Sequence, residues 1–224
     1  MSVKKKMYIF DYDDTLMTTY AKVIINDNGN IYGLTTFEFM KKYNELSEKK
    51  NIKYNFDEFG GNPELSLKIM NDGKIITSVN DILQQNKDSE LGIITARNLD
   101  NQLFRNFMIK KFNVNIPVEN IFTVNNDECY KKLINKIKVV IKNNPLINNL
   151  IKKLKINMIK ISNRKQLAML WFLSRDIEEI YYYDDDINNI KAIYQIHLEL
   201  IKIKSNKNIK LFHIKDEIIS EYTQ

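Results

Sequence analysis

Cysteine is nearly missing from this 224-residue chain. Cys129 stands alone, so no internal disulfide can form and a reducing compartment is expected. His197 and His213 are the only histidines, and neither is spaced with Cys129 as a zinc ligand set would be. With 6 glycines and 3 prolines the chain is neither collagen-like nor mucin-like, and 44% hydrophobic residues exclude wholesale disorder. No apolar run approaches the roughly 20 residues of a membrane span. The opening Lys4-Lys5-Lys6 followed by Met7-Tyr8-Ile9-Phe10 mimics a signal peptide, but Asp11, Asp13 and Asp14 cut the apolar region short. The chain is therefore expected in the cytoplasm, of a host cell if its origin is viral, with no membrane partner. It carries no internal repeat, and nothing in it indicates an oligomeric state.

Arginine is scarce too: it supplies 4 of the 34 cations, and lysine the other 30. Lys, Asn and Ile together make up 93 residues, the codon signature of an A- and T-rich genome, so part of the net charge of +6 is mutational bias. Acids are missing altogether from Cys129 to Arg175, where 12 Lys and Arg fall within 47 residues and leave the rest of the chain at −6. Lys131, Lys132, Lys136, Lys138, Lys142, Lys152, Lys153 and Lys155 could neutralise a nucleic-acid backbone. Lysines filling the solvent faces of amphipathic helices, packed by Leu133, Ile137, Val140 and Ile141, is the preferred reading.

What the chain does contain is an alternation of short apolar runs and helical patterns. Met7-Tyr8-Ile9-Phe10, Leu91 to Ile94, Ile121 to Val124, Ile180 to Tyr183 and Ile209 to Ile214 read as strands. Helices are expected from Thr35 or Thr36 through Tyr43, from a Ser78 cap through Leu83, from Leu99 to Lys110, across 127–160 with a break at Pro145, from Gln166 to Leu173 and from Ile190 to Leu200. Asn28-Gly29 between Val23-Ile24-Ile25 and Ile31-Tyr32 reads as a hairpin turn, and Gly60-Gly61-Asn62-Pro63 as a break. The fold class is α/β, with a mostly parallel sheet covered on both faces and its chemistry at the carboxyl ends of the strands.

Two of those strands end in acids. Phe10 runs into Asp11-Tyr12-Asp13-Asp14-Thr15, and Tyr183 into Asp184-Asp185-Asp186. Carboxylates crowded at the ends of buried strands repel one another, and an oxygen-seeking divalent cation such as Mg²⁺ relieves that repulsion. Between them Ile93-Ile94 ends in Thr95-Ala96-Arg97, and Lys165 opens the helix before the second acidic strand end.

This set, in this order, resembles the haloacid dehalogenase superfamily: Asp11-x-Asp13-x-Thr15, Thr95, Lys165, and Asp184-Asp185 with Asn189 following. Lys160 and Arg164 are the other cations near the third motif. More narrowly, Asp14-Thr15-Leu16, Lys22-Val23, Gly29, Leu34-Thr35 and Glu38-Phe39 look like a branch of that superfamily common in phages and other viruses. The resemblance implies a Rossmann-like three-layer core over 1–16 and 91–224, with 127–160 a basic helical insert within it and 17–90 a cap or flap.

It further implies a Mg²⁺-dependent phosphatase acting on a phosphorylated small molecule or nucleotide. Asp11 would be the nucleophile forming an aspartyl-phosphate and Asp13 the general acid and base. Thr95 would hold a phosphoryl oxygen, and Lys165 would balance developing charge. Asp11, the Asp13 main-chain carbonyl, and Asp185 ahead of Asp184 would hold the metal. Thr15, Thr18, Lys22, Arg97 and Asn189 are candidates for substrate or cap contacts, with Thr19 and Tyr20 beside them. Two alternatives stand: an enzyme processing nucleic-acid ends through the basic insert, and a non-catalytic binding protein on the same fold.

Overall fold

Alternation of side chains along the first strand decides which helices cover which face of the sheet. In the computed structural model, residues 5–19, 21–60, 67–69, 89–156, 160–215 and 218–223 are described, with backbone alone for 17–19, 37, 40 and 67–69. Strand β1 (Lys6–Phe10) turns Met7 and Ile9 to one side and Tyr8 and Phe10 to the other, as a period of two requires. Met7 and Ile9 enter a large core with helices α3 (Asp127–Asn143), α4 (Pro145–Leu154), α5 (Ile161–Leu173) and α6 (Ile187–Lys202). Tyr8 and Phe10 meet Phe104, Phe107 and Met108 of α2 (Asn101–Phe112).

The chain is thus an α/β protein. A six-stranded sheet runs β11-β10-β9-β1-β7-β8, built from β7 (Ser89–Thr95), β8 (Ile121–Thr123), β9 (Glu179–Asp184), β10 (Asn208–Lys215) and β11 (Ile218–Glu221) beside β1. All neighbours are parallel except β10 and β11, an antiparallel edge that the strand pattern of the sequence did not reveal because every β11 residue is exposed. The order reverses at β1: the chain moves outward through β7 and β8, then returns to add β9 and β10 on the other flank. Such a reversal opens a crevice at the carboxyl ends of the central strands. In-register aromatic pairs hold this region, with Tyr8 stacked on Tyr181, Phe10 on Tyr183, and Tyr183 on Phe212.

Local chemistry sets the helix ends. Asp100 caps α2 by accepting from the N–H groups of Gln102 and Leu103. Asn126 caps α3, whose first turn carries Asp127 and Glu128 and whose last turn carries Lys142, both favourable to the helix dipole. Asn144 caps α4 with Pro145 in its first turn, the one place where a missing N–H costs nothing. Helices α3 and α4 are not appended to the core: Leu133, Ile137, Ile147 and Leu150 lie in the same apolar cluster as Met7 and Ile9.

The described residues between β1 and β7 form smaller units. The three-stranded sheet β4-β3-β5 comprises β3 (Val23–Asp27), β4 (Asn30–Leu34) and β5 (Ile52–Asn55), and β2 (Met17–Thr19) pairs with β6 (Leu67–Ile69). Helix α1 (Thr36–Glu48) starts in a capping box, Thr35 and Glu38 each serving the other's backbone. Val23, Ile25, Leu34, Phe39 and Leu46 form a core of their own. The Gly61-Asn62-Pro63 break, Tyr20 and the helix expected from Ser78 lie outside the described residues.

Candidate functional site

Three parallel strands deliver the key side chains to one edge of the sheet. Asp11 is the first residue past β1, and its N–H donates to the Tyr183 carbonyl at 2.8 Å, fixing it beside the end of β9. Asp184 is the last residue of β9 and Thr95 the last of β7. Helix α5 brings Lys165 in from its face of the sheet. Of the three cations near the start of α5, Lys165 is the one whose ammonium reaches the acids. Arg164 instead donates to the Val124 carbonyl at 3.0 Å and covers the Tyr130 ring, and Lys160 is the exposed cap residue of the helix.

Carboxylate oxygens of Asp11, Asp184 and Asp185 lie within 4.8 Å of one another. The three acids are not equivalent. Both oxygens of Asp184 are occupied: Lys165 Nζ at 2.8 Å and the Tyr182 hydroxyl donate to Oδ2, while the Asp186 N–H at 2.9 Å and Asn189 Nδ2 at 3.1 Å donate to Oδ1. Asp11 Oδ1, although 3.1 Å from Lys165 Nζ, has no hydrogen-bond partner among the described residues. Asp185 accepts from Thr15 Oγ1 at 3.2 Å, and its main-chain carbonyl meets His213 Nε2 at 2.8 Å. Asp184 is therefore an organiser of the lysine, and Asp11 and Asp185 keep the open coordination capacity. Asp186 serves elsewhere, capping α6 through the Asn188 N–H.

Electrostatics point the same way. Burial pushes the Asp11 carboxyl well above its ordinary range; Lys165 opposes this, and Asp184, Asp185 and Asp13 add to it. Desolvation, with Asp184 adjacent, lifts Asp185 to about 8. Burial by itself would lower the Lys165 ammonium, but Asp11 and Asp184 more than reverse that and hold it above an ordinary lysine. Three ionised acids beside one lysine would leave net negative charge in a desolvated site, a charge that proton uptake or a bound cation relieves. An all-oxygen donor set, with one buried carboxylate oxygen that accepts no hydrogen bond among the described residues, fits Mg²⁺.

Asp13 is not one of the three clustered acids, although its charge is felt at Asp11. Arg97, two residues past Thr95, holds its carboxylate in a fork: Nε lies 3.0 Å from both oxygens and Nη2 2.6 Å from Oδ1. The Arg97 side chain is fully buried, lies over the Tyr12 ring, and is anchored by its own N–H to Thr95 Oγ1 at 3.2 Å. The fork was invisible in the sequence, although the Thr-Ala-Arg spacing put Arg97 within reach. The Tyr182 and His213 contacts carried no sequence signal at all.

The remaining candidates divide. Thr15 and Asn189 join the cluster through Asp185 and Asp184. Thr18 lies on β2, where the backbone alone is described. Lys22 belongs to the small β3–β5 unit, its N–H donating to Glu58 at 2.8 Å and its aliphatic chain crossing Gly33. That unit also meets the loops that follow β1 and β7. Thr36 Oγ1 donates to Asp14 Oδ2 at 2.9 Å, and Gly60 sits so close to the Asn98 carbonyl that a Cβ there would come within 3.1 Å of it. Asp14 takes a left-handed φ of 55° in the turn that makes this contact.

The cations of the basic stretch have different surroundings. Lys165 is in the site, Lys136 covers the Phe122 and Trp171 rings, Lys132 pairs with Glu128, and Lys153 with Glu199. Lys131, Lys138, Lys142, Lys152 and Lys155 are exposed. Among the described residues no helix is long and apolar enough to cross a membrane.

The fold and site define an α/β protein with an acid cluster and a buried lysine at the reversal point of its sheet. Compared with known proteins, the chain matches no family model, no curated protein and no solved structure.

Proposed function

We propose that this protein is a Mg²⁺-dependent phosphatase of the haloacid dehalogenase type, hydrolysing a phosphate monoester through an aspartyl-phosphate on Asp11. The observation that carries this reading is the convergence of Asp11, Asp185 and Lys165 at one sheet edge, with the open carboxylate oxygen of Asp11 among them. The segment between β1 and β7 would act as the cap.

Asp11 and Asp185 would hold the metal. When bound, it supplies positive charge that screens the carboxylates from an anionic ester and polarises the phosphoryl oxygens. Asp11 attacks phosphorus, forming an Oδ–P bond as the ester P–O bond breaks. Asp13 gives a proton to the leaving oxygen. Water then attacks the aspartyl-phosphate, Asp13 takes the water's proton, and the Asp11 carboxylate departs as inorganic phosphate forms. Thr95 and Lys165 stabilise the transferring group by hydrogen bonding and charge.

A phosphoester panel with Mg²⁺, including nucleotides and oligonucleotides phosphorylated at either end and run at two salt concentrations, tests this. Release abolished by Asp11→Asn is expected; release that persists in that variant overturns the mechanism. Absence of release from the whole panel favours a non-catalytic binding protein. A second reading, an enzyme of nucleic-acid ends, draws on the exposed lysines of α3 and α4. It requires oligonucleotide activity above mononucleotide activity that collapses with salt.

A further inference from the structure

The carboxylate that the proposed mechanism uses twice, Asp13, is not free to turn. It is gripped by a guanidinium whose side chain is fully buried and which comes from a different strand end, two residues beyond Thr95. A planar fork matched to a carboxylate fixes direction as well as distance, which a lysine ammonium cannot do. Arg97 is itself pinned by its N–H on Thr95 Oγ1 and by the Tyr12 ring, which packs edge-on against Phe104. The chain of contacts runs from the phosphoryl-binding threonine through Arg97 to the carboxylate.

We infer that Arg97 is the positioning residue of Asp13, aiming the carboxylate at the water that cleaves the aspartyl-phosphate rather than binding substrate. This rests on the proposed phosphatase reading. The dependence is selective. With an ester whose leaving group departs without a proton, formation of the aspartyl-phosphate needs little from Asp13. Its breakdown still needs Asp13 to accept the proton of the attacking water. Misaligning Asp13 therefore slows the second half-reaction and leaves phosphate on Asp11.

The test uses the full chain with Mg²⁺ and p-nitrophenyl phosphate. Steady-state release is followed, and acid-quenched samples are weighed by intact-protein mass spectrometry to detect phosphorylated chain. Arg97→Ala and Arg97→Lys are compared with wild type, with Asp13→Asn, and with the Asp13→Asn/Arg97→Lys double variant. Arg97→Ala should lower kcat by about 10²-fold or more, the scale of general acid–base catalysis, with KM falling in step so that kcat/KM changes far less, and with most of the chain phosphorylated at steady state. Arg97→Lys should recover part of the rate. The double variant should be no slower than Asp13→Asn alone, because residues acting through one another are non-additive.

The proposal is overturned by a raised KM with kcat intact, by a slow enzyme with no phosphorylated chain, or by additive losses in the double variant. Should Arg97→Ala fail to fold, Arg97→Lys carries the same readouts. A wild-type protein that neither releases nitrophenol nor becomes phosphorylated defeats the phosphatase reading itself, and this inference with it. A working wild type with unaffected Arg97 variants defeats the inference alone.

Discussion

Lys165 Nζ and Asp184 Oδ2 form an ion pair at 2.8 Å with side-chain exposures of 1% and 0%. Asp184 also accepts from Tyr182, Asn189 and the Asp186 N–H, so the lysine is held by a carboxylate whose two oxygens are both engaged. The same ammonium is then presented to Asp11 at 3.1 Å. The two acids of this motif thus differ: Asp184 fixes the lysine, and Asp185 would be left for the proposed metal.

Breaking that pair from the lysine side leaves buried carboxylates uncompensated. Lys165→Met is expected to destabilise the protein by about 3–5 kcal/mol, measured by denaturant unfolding, and to abolish phosphate release. Part of the lost stability should return on adding Mg²⁺, since a cation bound only by the folded state restores compensation.

Stability should depend on pH in a direction opposite to that of salt-bridged surface acids. Asp11 and Asp185 are raised in the folded state, Asp185 to about 8. In the unfolded chain such groups titrate near about 3.9. Between about pH 5 and 8 the folded state therefore binds more protons than the unfolded one, and stability falls as pH rises. Urea unfolding in EDTA should record that fall, Asp185→Asn should lessen it, and saturating Mg²⁺ should remove it. A flat profile in EDTA would contradict the site's electrostatics.

Gly92 on β7 has no room for a side chain. A Cβ there would lie 2.7 Å from Met7 Cε, 3.0 Å from Phe172 Cζ and 3.3 Å from the Asn120 carbonyl. Gly92→Ala should cost about 1–3 kcal/mol by overpacking, read as a lowered urea midpoint.

Two threonines at the start of α1 separate local from tertiary roles. Thr35→Ala removes the capping box and should cost about 1 kcal/mol of stability. Thr36→Val removes the hydrogen bond to Asp14 that joins this unit to the loop after β1. It should alter KM in the phosphoester assay, whereas Thr35→Ala should leave KM unchanged.

The elements that line the site were legible because their signals are local. Apolar runs ending in Asp11 and Asp184 announced buried strands, and Asn28-Gly29 announced the β3–β4 hairpin. Boundaries shifted where capping residues decided them, as when Asp100 began α2 at Asn101. β11 escaped notice because an exposed edge strand has no buried face to impose a pattern on its residues.

Sequence by itself determined the alternation of strands and helices, and hence a parallel sheet with acids at its carboxyl edge, because hydrophobic period and strand-end chemistry are properties of neighbouring residues. The different partners of Asp184 and Asp185, the reach of Lys165 and not Arg164 to the acids, and the Arg97 fork on Asp13 were decided only by tertiary structure. Each depends on which donors distant segments bring within about 3 Å, and hydrogen-bond geometry at that range is set by packing rather than by spacing along the chain.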